Sequence, residues 1–270
     1  MAKKKALISW SSGKDSAWTL HVLRRSGEYE IAGLLTTMNA AFDRVAMHGT
    51  RRELVEAQAE AAGLPLITVP LPWPCSNEQY EAAMREACAR AVADGVEVMA
   101  FGDLFLQDVR KYREDKLAGS GLTPVFPLWG LPTRELVREM LAAGVKARIV
   151  CVDPKKLPKE FAGRDLDEAL LQAMPEDVDP CAERGEFHTV AYAGPMFRWE
   201  IPVESGEVLE RDGFVFADVK LQPLAISWTT EVPEAAAPGQ LEKAGPSTSS
   251  GACAPDFAQD DEPKKSGRRS

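Results

Sequence analysis

The stretch Leu7-Ile8-Ser9-Trp10-Ser11-Ser12-Gly13-Lys14-Asp15-Ser16 constrains the fold more than any other in this 270-residue chain. The apolar run from Ala6 to Trp10 reads as a buried strand that stops abruptly at three small residues. The chain then resumes as a helix with Ala17, Leu20 and His21 on one side. A strand that turns through Ser-Ser-Gly into a helix leaves the first backbone N–H groups unpaired and pointing one way. Those groups and the helix dipole together favour an anion. Ser11, Ser12 and Ser16 add hydroxyl donors without bulk, Gly13 allows close approach, and Lys14 adds positive charge. The stretch predicts a phosphate cradle.

From Ala6 to about Val152 strand and helix signals alternate. Strands are expected at Ile31–Thr36, Leu66–Val69, Val96–Phe101 and Lys146–Val152. Capping boxes at Thr50-Arg51-Arg52-Glu53 and Ser76-Asn77-Glu78-Gln79 open two helices, and two more are expected over Gln107–Ala118 and from Pro132 to Gly144. Strands separated by helices imply parallel pairing, so residues 1–152 are expected to form an α/β domain, a doubly wound five-stranded parallel sheet. Ligands then sit beyond the carboxyl ends of the strands.

After Val152 the pattern changes. A helix carrying Leu166, Ala169, Leu170 and Met174 leads to a Gly- and charge-rich segment, Asp179 to Thr189, and a strand at Val190–Ala193. Glu200–Val203, Glu207–Arg211 and Phe214–Gln222 read as antiparallel strands with turns at Ser205-Gly206 and Asp212-Gly213. Residues 153–231 are therefore expected to form a second, smaller α+β domain. Residues 232–270 are rich in Pro, Ala, Gly, Ser and charge, and are expected to be disordered.

The net charge of −9 disfavours a nucleic-acid partner. Five scattered cysteines without a Cys-x-x-Cys pair argue against a disulfide scaffold or zinc ribbon and suit a reducing, cytoplasmic setting. Neither a signal peptide nor a membrane-spanning run is expected. The sequence leaves the oligomeric state open, a homo-oligomer included.

The loops after the other strands supply further candidates. Thr36, Thr37 and His48 follow the second strand; His48 suits a phosphate or substrate contact and equally a solvated loop position. Gly102 and Asp103 follow the fourth. Asp103 is placed for Mg²⁺ or a ribose hydroxyl, or to serve as a helix N-terminal acid. Arg110 and Arg113 share a helix face that either meets substrate or is simply solvated. Cys181 reads as a small buried thiol rather than a nucleophile.

The opening loop fits neither the Walker spacing, which would place a glycine at Ile8, nor the Gly-x-Gly-x-x-Gly pattern. Ser-Ser-Gly-Lys-Asp-Ser resembles the Ser-Gly-Gly-x-Asp-Ser loop of the PP-loop ATP pyrophosphatases, with Ser12 in place of a glycine. Two other pieces join it. Gly102-Asp103 with its arginines and Pro127-Leu128-Trp129, and Cys181-Ala-Glu-Arg-Gly-Glu-Phe-His-Thr, are similar to the diphthine–ammonia ligase-type branch of that superfamily. The branch motif differs here at Ala182, where a glycine is usual, and at His188, often a Glu. The resemblance covers roughly residues 5–222 and implies a HUP-like, adenine nucleotide alpha hydrolase-like fold.

It also implies ATP-dependent amide formation: a carboxylate, on a small molecule or a protein, is adenylated with release of pyrophosphate, and ammonia or an amine displaces AMP. ATP and Mg²⁺ are the implied cofactors. The implied ATP site takes Ser9, Trp10, Ser11, Ser12, Gly13, Lys14, Asp15, Ser16, Thr36, Thr37, His48, Gly102 and Asp103. Lys14, Asp15, Glu183 and Glu186 are the catalytic candidates, Asp15 also as the Mg²⁺ partner. The two glutamates bind the amine or take its proton, or else form only a charged turn. Arg110, Arg113, Gly185, His188 and Thr189 are the substrate-binding candidates. Two other readings stay open, a PP-loop enzyme modifying a tRNA nucleoside and a nucleotide-binding module without chemistry.

Overall fold

A computed structural model of the chain describes residues 2–46 and 48–223; the tail expected from 232 lies outside them. The first sheet is built from β1 (Lys4–Ser9), β2 (Tyr29–Asn39), β3 (Arg44–Val45), β4 (Leu66–Leu71), β5 (Val98–Ala100) and β6 (Thr123–Val125). Five of these pair in parallel in the order β4-β2-β1-β5-β6, with β3 antiparallel against the end of β2. Alternation along β1 sets two cores. Leu7 faces one side with α3 (Asn77–Ala93) and α4 (Gln107–Leu117), while Ile8 faces the other with α1 (Lys14–Ser26), α2 (Arg52–Ala62) and α5 (Thr133–Ala142). The strand order reverses between β1 and β5, the switch point where doubly wound sheets bind ligands.

The count of five parallel strands agrees with expectation, but the fifth strand is a different one. Lys146–Val152 (β7) belongs to the second, antiparallel sheet, where it pairs with β8 (Phe187–Ala193) and β10 (Phe214–Leu221); β8 is one edge and β9 (Val203–Arg211) the other. The second sheet thus begins before the boundary expected at 152. It shares one apolar core with the first, since Ile8 and Leu34 cluster with Val150, Val190 and Phe197. The described residues form one compact unit, and none of their helices is long and apolar enough to cross a membrane.

Two local expectations fail for identifiable reasons. Ser205-Gly206 is not a turn but lies inside β9, opposite Val219. A Cβ at Gly206 would come 3.0 Å from that of Asp218, whose carboxylate is fixed by Arg51 (2.7 and 2.9 Å) and Arg44 (3.0 Å). Glycine here answers to packing. The Thr50 capping box does not form either, whereas that of Ser76 and Gln79 does. The Thr50 hydroxyl instead meets the Ser12 hydroxyl at 2.8 Å. The helix expected around Leu166–Met174 shrinks to α6 (Glu168–Ala173).

Candidate functional site

The opening loop is held in shape by groups from three elements. Ser12, where the related loops have glycine, adopts φ +70° and is fully buried. Its bond to Thr50 offsets part of the strain that a side chain incurs there. Its carbonyl accepts from Gln58 Nε2 (2.9 Å) and from the Ala191 amide (2.9 Å). Gly13 is the helix N-cap, and a Cβ on it would lie 3.2 Å from the Thr189 carbonyl oxygen. β8 therefore lies directly against the loop. Not every amide of the cradle is free: Lys14 N–H donates to Thr189 Oγ1 at 3.2 Å. The amides of Asp15 and Ser16, in the first helical turn, have no intrahelical acceptor.

Lys14 points inward and is 2% exposed. Its ammonium donates to the Cys181 carbonyl (2.6 Å) and to Asp15 Oδ2 (2.9 Å), and lies 5.5 Å from the Phe187 ring centre. Burial works against its charge, but Asp15 and weaker contributions from Cys181 and Asp179 outweigh it, and the lysine pKa is raised. Asp15 Oδ1 is buried and has no hydrogen-bond partner among the described residues. Around this pair lies a cavity of about 230 Å³. The loop and Lys14 line one side, Gly102, Asp103 and Arg113 another, and Glu183, Gly185, His188 and Thr189 the third. Gly102 is needed there, since a Cβ would sit 3.0 Å from the Asp15 carbonyl carbon.

The two motif glutamates part company. Glu183 reaches the cavity and accepts from the Leu104 amide at 2.8 Å. Burial raises its pKa, against the opposing effect of the backbone donors. Glu186 is 3% exposed, accepts from the Asp179 amide at 3.2 Å and does not line the cavity. Asp103 is gripped by Arg113 through two bonds, 2.5 and 3.0 Å, on the cavity wall, and it caps no helix, since α4 begins after Leu106. Arg110 also misses the cavity; it bonds Glu114 and lies over Phe126 and Trp129, 4.9 and 4.8 Å from their ring centres. Trp10 is a core residue bonded to Gln58, and Thr36 and Thr37 do not line the cavity, although Thr36 Oγ1 is buried without a partner. Ala182 takes φ +61°, which explains why a glycine suits that place in the related motif. Gln58 escapes the sequence reading, which has Thr50 only as a helix cap and Asp179 only as the start of a charged segment. Asp179 holds the motif turn by accepting from the Glu183 amide at 2.8 Å.

His48 and His188 lie against each other with ring centres 4.3 Å apart and planes tilted by 37°. Burial, then the neighbouring His188, hold His48 well below its usual pKa. Burial, with Lys14 adding to it, lowers His188 to about 4. In the unfolded chain such an imidazole takes a proton near 6.5, so between these values the unfolded state binds more protons. Stability should therefore fall as pH drops from 6.5 toward 4, by roughly 3 kcal/mol for His188 alone. Denaturant midpoints at pH 7.5 and 5 check this. His188→Asn should flatten the dependence, and an equally steep variant would contradict the assignment.

The comparisons with known proteins cover both halves of the site. Residues 4–123 match the family described as "Diphthamide synthase N-terminal domain", and residues 132–221 match "Diphthamide synthase C-terminal domain". A Bos taurus protein named diphthine–ammonia ligase is 27% identical over 238 residues, spanning 79% of this chain and 87% of its own length. The Homo sapiens protein of that name is 26% identical over the same shares. The Mus musculus one is 32% identical over 132 residues, 47% of this chain and 48% of its own. With both halves matched and the two motifs facing each other across one cavity, the chain belongs to the diphthamide synthase family.

Proposed function

We propose that the chain is an ATP-dependent, AMP-forming carbon–nitrogen ligase of the diphthine–ammonia ligase type, converting an acceptor carboxylate to an amide with ammonia. The observation that carries this reading is the meeting of Lys14 and the α1 N-terminus with the Cys181–Thr189 motif in one cavity. Family membership supports it over residues 4–123 and 132–221. Among the described residues Cys75, Cys88, Cys151 and Cys181 are free thiols, which supports a cytoplasmic setting.

A carboxylate oxygen of the acceptor attacks the α-phosphorus of ATP, and the bond to pyrophosphate breaks. Charge on the leaving group grows as it departs, so donors fixed in advance lower the barrier. The amides of Asp15 and Ser16 and the ammonium of Lys14 supply them, while the hydroxyls of Ser11 and Ser16, which donate to Ser16 Oγ and to Gly13 O, hold the loop in shape. Close packing of Gly13 and Gly102 keeps the cradle free of Cβ atoms. A magnesium ion bound with the nucleotide would neutralise phosphate charge. Asp15 suits it, since Oδ1 is buried and unpartnered, and Mg²⁺ takes most of its ligands from phosphate and water.

Ammonia then attacks the acyl carbon and AMP leaves with the acceptor's oxygen. Ammonium must first lose a proton. Glu183, with its raised pKa and its place on the cavity wall, is suited to take it. Arg113, held by Asp103, offers positive charge to the acceptor. The test is isotopic. With ATP, ammonium and cell extract whose carboxylates carry ¹⁸O, mass spectrometry should find one labelled oxygen per AMP formed. Unlabelled AMP, or ADP with phosphate, would overturn the reading.

A further inference from the structure

A second cavity, of about 320 Å³, adjoins the first with His188 as the common wall. Four rings line it. Phe42 lies between β2 and β3, Trp73 follows β4, and Phe214 and Phe216 sit on β10. Phe42 and Trp73 meet edge to face with centres 5.8 Å apart, and the centres of Phe214 and Phe216 are 6.4 Å apart. Phe42, Trp73 and Phe214 are 46, 59 and 40% exposed. Large rings left open around one cavity mark a place where something binds.

The cavity already holds a cation, and it is the protein's own. The Arg211 guanidinium lies 5.4 and 5.6 Å from the ring centres of Phe42 and Phe216, close enough for attraction to the negative ring faces. Asp212, 3.4 Å from Arg211, lines the same cavity. The other charge on the lining is Arg44, which donates to the Gly49 carbonyl (2.7 Å) and to Asp218 (3.0 Å). His188 is uncharged at neutral pH, since burial and then Lys14 lower its pKa to about 4. With Arg44 answered by Asp218, aromatic faces and the Asp212 carboxylate are what a cation meets here. The arginine that now meets them is loosely held. Its side chain and that of Asp212 are 59 and 76% exposed, at the turn between β9 and β10. Trp73, the ring type that attracts cations most strongly, has none over it among the described residues.

We propose that this cavity is a site for a small quaternary ammonium cation, and that Arg211 is its built-in competitor. A ligand that displaces the guanidinium gains the faces of Phe42 and Phe216, reaches Trp73 as well, and takes over Asp212. The ring walls offer no hydrogen-bond acceptors, so a cation that carries N–H donors loses more on leaving water than one without them. The Arg211 turn is then a plug that sets how tightly the site binds. This inference does not rest on the ligase reading, because occupancy is measured without turnover.

The probes are choline and its uncharged isostere 3,3-dimethylbutan-1-ol, titrated calorimetrically into the full-length chain. Choline should bind at one site, about ten-fold more tightly than the alcohol. Arg211→Gln removes the competitor and should tighten choline about three-fold, whereas Arg211→Lys keeps a cation on the turn and should tighten it less. Trp73→Ala should weaken choline roughly five-fold. All three residue changes lie at exposed positions, and thermal denaturation checks that each variant is folded. An arginine that merely supported the cavity would cost affinity when replaced, never raise it. No choline binding, equal affinity for the alcohol, or choline affinity unchanged or weakened by Arg211→Gln would overturn the proposal.

Discussion

Replacing Lys14 by alanine should lower ATP-dependent pyrophosphate release by about 10²–10³-fold, the loss typical of removing one fixed donor to developing charge. At about 1.36 kcal/mol per decade this is roughly 3–4 kcal/mol of transition-state stabilisation. An ammonium has three N–H donors. Two are committed, to Cys181 O and Asp15 Oδ2, which fix the group with almost no exposure. A charge so positioned needs little reorganisation when the pyrophosphate departs. The ATP KM should move far less than kcat, because the amides of Asp15 and Ser16 remain. Folding should survive, since burial already pushes the Asp15 carboxyl up and a proton can replace its lost counter-charge. Lys14→Met, which keeps most of the volume, and thermal denaturation of both variants separate chemistry from stability. Lys14→Arg should not rescue, as a planar fork does not fit between a carbonyl, a carboxylate and the Phe187 ring. Turnover within ten-fold of the parent in both variants would move the leaving-group site elsewhere.

How much of this was legible depended on whether the information was local. The cradle could be read because strand, turn and helix cap occupy ten consecutive residues, and the positive φ at Ser12 marks where a glycine would relax the loop. The parallel sheet was legible in class but not in membership. Lys146–Val152 is an apolar run that reports burial, and burial does not say which sheet a strand joins. Thr123-Pro124-Val125, the true fifth strand, has only three residues and contains a proline. The motif named both Glu183 and Glu186, but in an irregular turn no period tells which side chain faces a ligand. Asp179 decides that, by holding the turn so that Glu186 folds beneath it. The Thr50 hydroxyl looked like a helix cap because its real partner, Ser12, lies 38 residues away.

Gln58 shows the same limit at its most severe, and it carries the second large expected effect. On α2 it looks like one more polar residue of an amphipathic helix, yet it is wholly buried. Its Oε1 accepts from Trp10 Nε1 at 2.8 Å, and its Nε2 donates to Ser12 O at 2.9 Å and Ala191 O at 2.6 Å, partners 48, 46 and 133 residues away. One amide thus ties β1, the cradle and β8 together, and with them the two halves of the site. Gln58→Leu keeps the volume but strands the indole N–H and strips a donor from each carbonyl. At about 1–3 kcal/mol per unsatisfied buried group, the loss should be about 2–5 kcal/mol, read from urea denaturation. Gln58→Glu should not restore stability, because a carboxylate set against two carbonyl oxygens has no hydrogen to give them. Trp10→Phe removes the indole donor and so part of what Gln58 satisfies. The double variant should therefore be at least about 1 kcal/mol more stable than the sum of the single losses implies. Gln58→Leu should also raise the ATP KM, since Ser12 keeps its left-handed conformation only while its neighbours hold it. Additive losses, or a single loss under about 0.5 kcal/mol, would mean that β8 grips the loop without this side chain.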